Sequence, residues 1–269
     1  MRLAGLAGMA VAALLVGGSV EARAATAHVG VDVGVGTAAG DALDGSVVIT
    51  AVPGFSFLLG PGSVFGEVPF AGAAGDEAGF RLGNPVLGYG VTLKDNLRFA
   101  PAVALPVATA RRDGNVARDL TLLSNAAAMD GWHAIWRWLP DDLAIVLPLS
   151  NQTPLGNGGV LQTQLVLTTT IPTAGDGAEV DVILELGTRL LAPLGERVGV
   201  GLGFSEVLFV TSGREGDLSQ AALEPSFLWI IAPGSSLVVR LVMNLDAPNG
   251  FAFDSDKVWG AHVGLTVAL

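Results

Sequence analysis

Residues 179–191 read EVDVILELGTRLL, and the stretch separates into two faces. Asp181, Glu185 and Arg189 stand on one side of a two-residue alternation, with Val180, Val182, Leu184 and Leu186 on the other. That period belongs to a β-strand, whose successive side chains point to opposite faces. A continuous Val/Leu face needs an apolar partner, so the fold turns on what that partner is.

The same period recurs along the chain. HVGVDVGVG, from His28, sets four valines against Gly30, Asp32 and Gly34. VLQTQLVLTTTI (160–171), LVVRLVMNL (237–245) and WGAHVGLTVAL (259–269) repeat it. The intervening positions are mostly Gly, Ala, Thr and Gln with an occasional charge, whereas a water-facing sheet surface is rich in Lys, Glu, Asp and Arg. Such a face suits a narrow, crowded interior, and the Val/Leu face suits lipid. Composition agrees: 51% of the 269 residues are hydrophobic and 14% are charged, with a mean hydropathy of +0.57. Soluble domains carry about 25% charged residues.

A helical membrane protein is the rival reading. The uncharged run 143–175 is long enough to span, but SNQTPLGNGG interrupts it and its flanks alternate and are β-branched. In lipid only helices and closed barrels satisfy every backbone N–H and C=O. The expectation is therefore an all-β, transmembrane antiparallel up-and-down β-barrel. Its strands, about twelve, fall near 27–36, 45–53, 65–73, 80–93, 97–108, 143–151, 160–171, 179–192, 198–210, 220–232, 237–246 and 257–269. The short turns KDN at 94, PLGER at 193 and PGSS at 233 fall on one side, and the long insertion 109–142 on the other.

The first 24 residues, MRLAGLAGMAVAALLVGGSVEARA, combine Arg2, an apolar run from Leu3 to Val16 and Ala22-Arg23-Ala24. This is the layout of a cleaved secretory signal, leaving 25–269 as the barrel domain. There is no cysteine, so stability must come from burial or from a backbone network that closes on itself, and Cys-type zinc and iron–sulfur sites are excluded. A net charge of −11 disfavours nucleic acid, which selects a basic footprint.

At this point the chain resembles the outer-membrane β-barrel proteins of Gram-negative bacteria. The likeness rests on the signal segment, on FRLGNPVLGYGVTLKDNLRFAPAVALPVA (80–108) and on the alternating strand that finishes at Leu269. Within that group it looks most like transporter-like barrels related to channels for hydrophobic or aromatic compounds. The resemblance implies an outer-membrane location, membrane lipids and a small-molecule permeant as partners, and the barrel-assembly machinery as a partner during biogenesis. It implies passive, porin-like transport and no cofactor. The group usually ends in Phe, and here the last residue is Leu269.

If the Val/Leu face meets lipid, parity assigns a lumen-lining set: Asp32, Arg98, Gln162, Gln164, Asp181, Glu185, Arg189, Glu224, Arg240, Asn244 and His262. The bland reading is an ion-paired network that holds a narrow barrel together, since paired charges tolerate burial. The sharper one is a lining that selects a permeant. About twelve strands should leave a small or gated lumen, between the filled interior of eight and the aqueous pore of sixteen.

The insertion carries an aromatic patch, Trp132, Trp136 and Trp138, with Asp119 placed to cap a short helix ending near Met129 and Gly131. The patch reads as an interfacial anchor, as a lid or plug of the barrel mouth, or as an apolar entry site. Catalytic and metal readings are weaker. His28, His133 and His262 are the only histidines, no metal-ligand spacing occurs, Asp254-Ser255-Asp256 reads as a solvated loop, and the glycines of GVGLG (199–203) mark crowded lumen positions. A lipid-modifying barrel enzyme and a soluble β-barrel that binds an apolar ligand remain as alternatives.

Overall fold

The computed structural model describes residues 27–39, 43, 46–74, 79–94, 96–109, 116–156, 158–174, 179–211, 219–246 and 258–269. The predicted signal segment and Asp254-Ser255-Asp256 lie outside the described residues.

Among these residues fifteen β-segments form a single antiparallel sheet. They are β1 (Ala27–Thr37), β2 (Val47–Leu59), β3 (Gly62–Glu67), β4 (Phe70–Ala74), β5 (Gly79–Leu82), β6 (Val86–Lys94), β7 (Leu97–Phe99), β8 (Ala102–Ala104), β9 (Asp142–Pro154), β10 (Val160–Pro172), β11 (Asp181–Pro193), β12 (Val198–Phe209), β13 (Ser219–Ala232), β14 (Ser235–Asn244) and β15 (Trp259–Ala268). Because β1 pairs with both β2 and β15, the sheet closes into a barrel. Three staves consist of two segments each (β3/β4, β5/β6 and β7/β8), so the barrel has twelve staves. The helix α1 (Val116–Met129) and a 3₁₀ turn at Ile135–Arg137 lie between β8 and β9.

Alternation decides which face is which. On β11, Glu185 and Arg189 are buried inside, whereas Leu186 and Leu190 are 41% and 47% exposed on the outer surface. Val29, Val33 and Val35 of β1, Leu202 and Phe204 of β12, and Val239 of β14 continue that exposed apolar belt. A belt of this kind around a sheet without free edges is the arrangement that hydrocarbon requires.

The staves depart from the expected strands where proline removes a backbone donor. Val68-Pro69, Gly83-Asn84-Pro85 and Ala100-Pro101 each break a strand that the periodicity reads as continuous. The proline carbonyls still accept hydrogen bonds, from Gly83, Leu105 and Tyr89 respectively. Pro53 has the opposite outcome. It does not end β2 near residue 53, because the Val68 N–H donates to its carbonyl, and the strand runs on to Leu59 with the turn at Gly60-Pro61.

Short connections at 60–61, 155–159, 194–197 and 233–234 share the end that holds Ala27 and Leu269, opposite the insertion between β8 and β9. Replacing Leu186, mid-strand on the lipid face, by Arg should destabilise the folded barrel by about 2–4 kcal/mol. Urea titration in lipid vesicles, read by heat-modifiable migration, checks this against Ala192→Arg at the end of the same strand, which should cost less.

Candidate functional site

The insertion turns inward and occupies the lumen. On α1, Leu122, Leu123, Ala126, Ala127 and Met129 are buried. They join one apolar cluster with Val48, Ala71, Ile183, Val207 and Phe209 of the inner wall. Trp132, Trp136 and Trp138 are also buried, at 5%, 8% and 2% exposure. They therefore sit within the barrel and not at the headgroup level, because a twelve-stave lumen offers more apolar contact than the membrane surface does. The expected cap is also placed differently. Asp119 lies in the first turn of a helix that begins at Val116, buried beneath Arg81, whose Nη2 donates to it at 2.6 Å. A carboxylate there complements the positive end of the helix dipole.

The wall is shaped to receive this plug. A Cβ on Gly260 would overlap the Met129 carbonyl, and one on Gly36 would press against the Met129 side chain. The alternate glycines of β1 and β15 thus leave a shelf for the end of α1. There the His262 ring engages the Met129 carbonyl through Nε2 and Asp32 through Nδ1, each at 2.9 Å, while Asn244 Nδ2 donates to the Ala128 carbonyl at 2.8 Å. On the opposite wall Asn84, fully buried, donates to the carbonyls of Trp136 and Leu139 and accepts from the N–H groups of Val107 and Ala108. One side chain replaces the missing ladder at the Gly83–Pro85 break and fixes both ends of the insertion to it.

Between these anchors the plug turns at 130–134, where Gly131, Trp132 and Ala134 all have left-handed backbone with φ of 67°, 59° and 52°. For a non-glycine residue this costs about 1–2 kcal/mol. The turn is held by charge. Asp130 accepts from Arg240 Nη2 and Trp138 Nε1, each at 3.2 Å, and Arg137 pairs in bidentate fashion with Glu67. His133 lies 3.0 Å from Glu224 and 3.7 Å from Glu185. Glu224 is bridged in turn to Arg189 at 2.6 Å. Burial alone would lower the basicity of His133, but hydrogen bonds to the two glutamates outweigh it and raise its pKa to about 9.

Most of the lumen set converges here. Asp32, Glu185, Arg189, Glu224, Arg240, Asn244 and His262 lie in or beside the plug contacts. Asp181 instead stands at the outer rim beside Thr211, and Arg98 lies toward the opposite end, donating to Ser63. Gln162 is buried in the inner face of β10. Gly201 and Gly203 back onto Ser226 and the Arg189–Glu224 pair, where a Cβ would crowd them. Sequence reading missed Asn84, Asp130, Glu67 and Arg137. The signal for Asn84 was GNP inside an otherwise alternating strand. Asp130 and Arg137 carried none, since Arg240 and Glu67, which pair with them, lie 110 and 70 residues away.

Below the plug is a cavity of about 180 Å³, lined in part by Asp32, Gln164, Glu185, Arg240 and the plug residues Asp130 and His133. Phe65, Val86, Ala102, Val146 and Trp136 line it elsewhere. Among the described residues no group of three or more His, Asp or Glu side chains converges as a metal site. Both ring nitrogens of His262 already have partners, so the ring holds no free nitrogen to activate a hydroxyl.

No protein-family model matches the sequence, and no curated protein matches it. Solved structures do. The fold matches a COG4313 outer membrane channel from Pseudomonas putida F1 with a TM-score of 0.61 at 9% sequence identity, over 93% of this chain and 97% of that one. A NanC porin matches at a TM-score of 0.51 and 9% identity, over 89% of this chain and 98% of that one. At such identity the likeness concerns the fold. The shared architecture is the closed antiparallel barrel seen in these outer-membrane proteins, and the exposed apolar belt is the surface such a barrel presents to a membrane.

Two outcomes follow from the plug contacts. Because the pKa of His133 is higher in the docked state than its ordinary 6.5, its contribution is fully present below pH 6.5 and is lost as pH rises through about 9. Protease susceptibility of the 105–141 segment should rise over that window in the wild type and stay flat in His133→Gln. Gly260→Ala should loosen the plug at every pH without unfolding the barrel, read by the same cleavage alongside unchanged heat-modifiability.

Proposed function

We propose that the protein is a narrow, gated outer-membrane channel through which small molecules with substantial apolar surface pass down their concentration gradient. The observation that carries this reading is that the plug is not part of the wall. The sheet closes through β1, β2 and β15, and among the described residues none of 116–136 supplies a rung of its ladder. Apart from the Asn84 N–H bond to the Arg137 carbonyl, the plug is held to the wall by side-chain hydrogen bonds, ion pairs and apolar contacts, none of which the closed ladder depends on. It is an element that can shift while the barrel stays intact. The cavity below it, part apolar and part polar, is a resting place along the route. The fold shared with a P. putida channel supports the same reading. Passage needs no cofactor or energy source.

Asp130 joins the plug to Arg240 and Trp138, so Asp130→Ala is the test. Wild-type protein in planar bilayers should give small, infrequent openings, and the variant should open several-fold more often. Silence from both, with liposomes that stay impermeable to small solutes, would overturn the channel.

A further inference from the structure

The cavity beneath the plug is two-sided, and its polar side is incomplete. Phe65, Val86, Ala102, Val146 and the indole of Trp136 form one wall, and all five belong to one buried apolar cluster. Facing them stand Asp32, Gln164, Glu185 and Arg240. Most of the charged groups here have partners: Arg137 takes Glu67, Arg240 takes Asp130 with Asp32 near it, and Glu224 takes Arg189 and His133. Glu185 is different. Its Oε2 faces His133 and accepts from the Ala134 N–H at 3.4 Å, but its Oε1 has no hydrogen-bond partner although the residue is only 2% exposed. A buried carboxylate oxygen left unmatched is costly, and a donor from a ligand would satisfy it. The backbone beside it is bare. Gly187, next inward on β11, has only the Gln164 Cβ and the His133 ring near the place of a Cβ, at 3.7 and 3.9 Å.

We propose that this cavity binds a small primary amine with an apolar body, its ammonium group donating to the Glu185 carboxylate, which turns to bring the enclosed Oε1 to it, and its aryl or alkyl part resting against Phe65, Trp136 and Val146. A volume of about 180 Å³ suits a molecule of that size and not an oligosaccharide or a lipid. This deepens the channel reading by naming a permeant class, and rests on it for transport but not for binding. An ammonium against a buried carboxylate oxygen forms a charge-assisted hydrogen bond, which a neutral hydroxyl replaces poorly and an anion opposes.

The test uses purified full-length protein in detergent micelles and three probes of nearly equal shape: phenethylamine, 2-phenylethanol and phenylacetate, titrated calorimetrically. Saturable binding of one phenethylamine per chain is expected, with 2-phenylethanol at least about tenfold weaker and phenylacetate without measurable binding. Glu185→Gln, checked for folding by heat-modifiable migration, should bring the amine down to the level of the alcohol. Equal binding of amine and alcohol, preference for phenylacetate, or no binding of any probe to the wild type would overturn the site. The wild-type series decides this even if the variant does not fold. Binding in micelles is independent of conduction. An amine that binds to a protein silent in bilayers would retain the site and discard the channel, and the reverse result would do the opposite.

Discussion

A peptide group in hydrocarbon has no water to turn to, and the architecture follows from that constraint. Every rung of the wall must find its partner in the next stave, and the last stave must find the first. β1 meets this requirement with β2 on one side and β15 on the other. Once the ladder closes, side-chain parity is fixed around the whole circumference, and a slip of one residue would carry Glu185 and Arg189 into lipid and Leu186 into the lumen. A two-letter alternation in the sequence thereby becomes a two-solvent molecule.

Charge inside the barrel follows a second rule: it is shared between wall and plug. Arg240 on β14 lies near Asp32 of β1, Glu224 of β13 and Asp130 of the plug. His133 of the plug lies between Glu185 and Glu224. Neither part is electrically complete alone, since withdrawing the plug leaves acidic groups of the wall without their cation and Arg240 without Asp130. This is how a chain with so few charged residues holds an insertion in place while keeping a polar side to its lumen. The structural reading of the lumen charges is thus met by pairs that run between wall and plug.

The barrel was legible because its signal is local and repeated. The period of two in 179–191, 160–171 and 259–269 places a residue inside or outside without knowledge of its neighbours, and Glu185, Arg189, Glu224 and Arg240 face inward on that parity alone. Pro53 and Gly83-Asn84-Pro85 were not legible, because a proline's effect depends on which rung it falls on and on what else can bond its neighbours. The seat of the insertion was legible least. Trp132, Trp136 and Trp138 suit a membrane interface and a crowded lumen equally by composition, and only the glycine shelf of β1 and β15 and the Asn84 clamp distinguish the two. Those are meetings of residues far apart in the chain, which periodicity does not encode.

The anchorage of the plug also carries an order of events. His262, from the final stave, reaches across a separation of 230 residues to Asp32 of the opening one, and across 133 residues to the Met129 carbonyl. That three-way junction exists only after the chain's two extremes have zipped together, the slowest kind of contact for a polypeptide to form. During insertion the glycine shelf is split between two unjoined edges, and the end of the helix lacks its seat. The tip of the plug is therefore a latch whose catch is complete only when the wall behind it is whole.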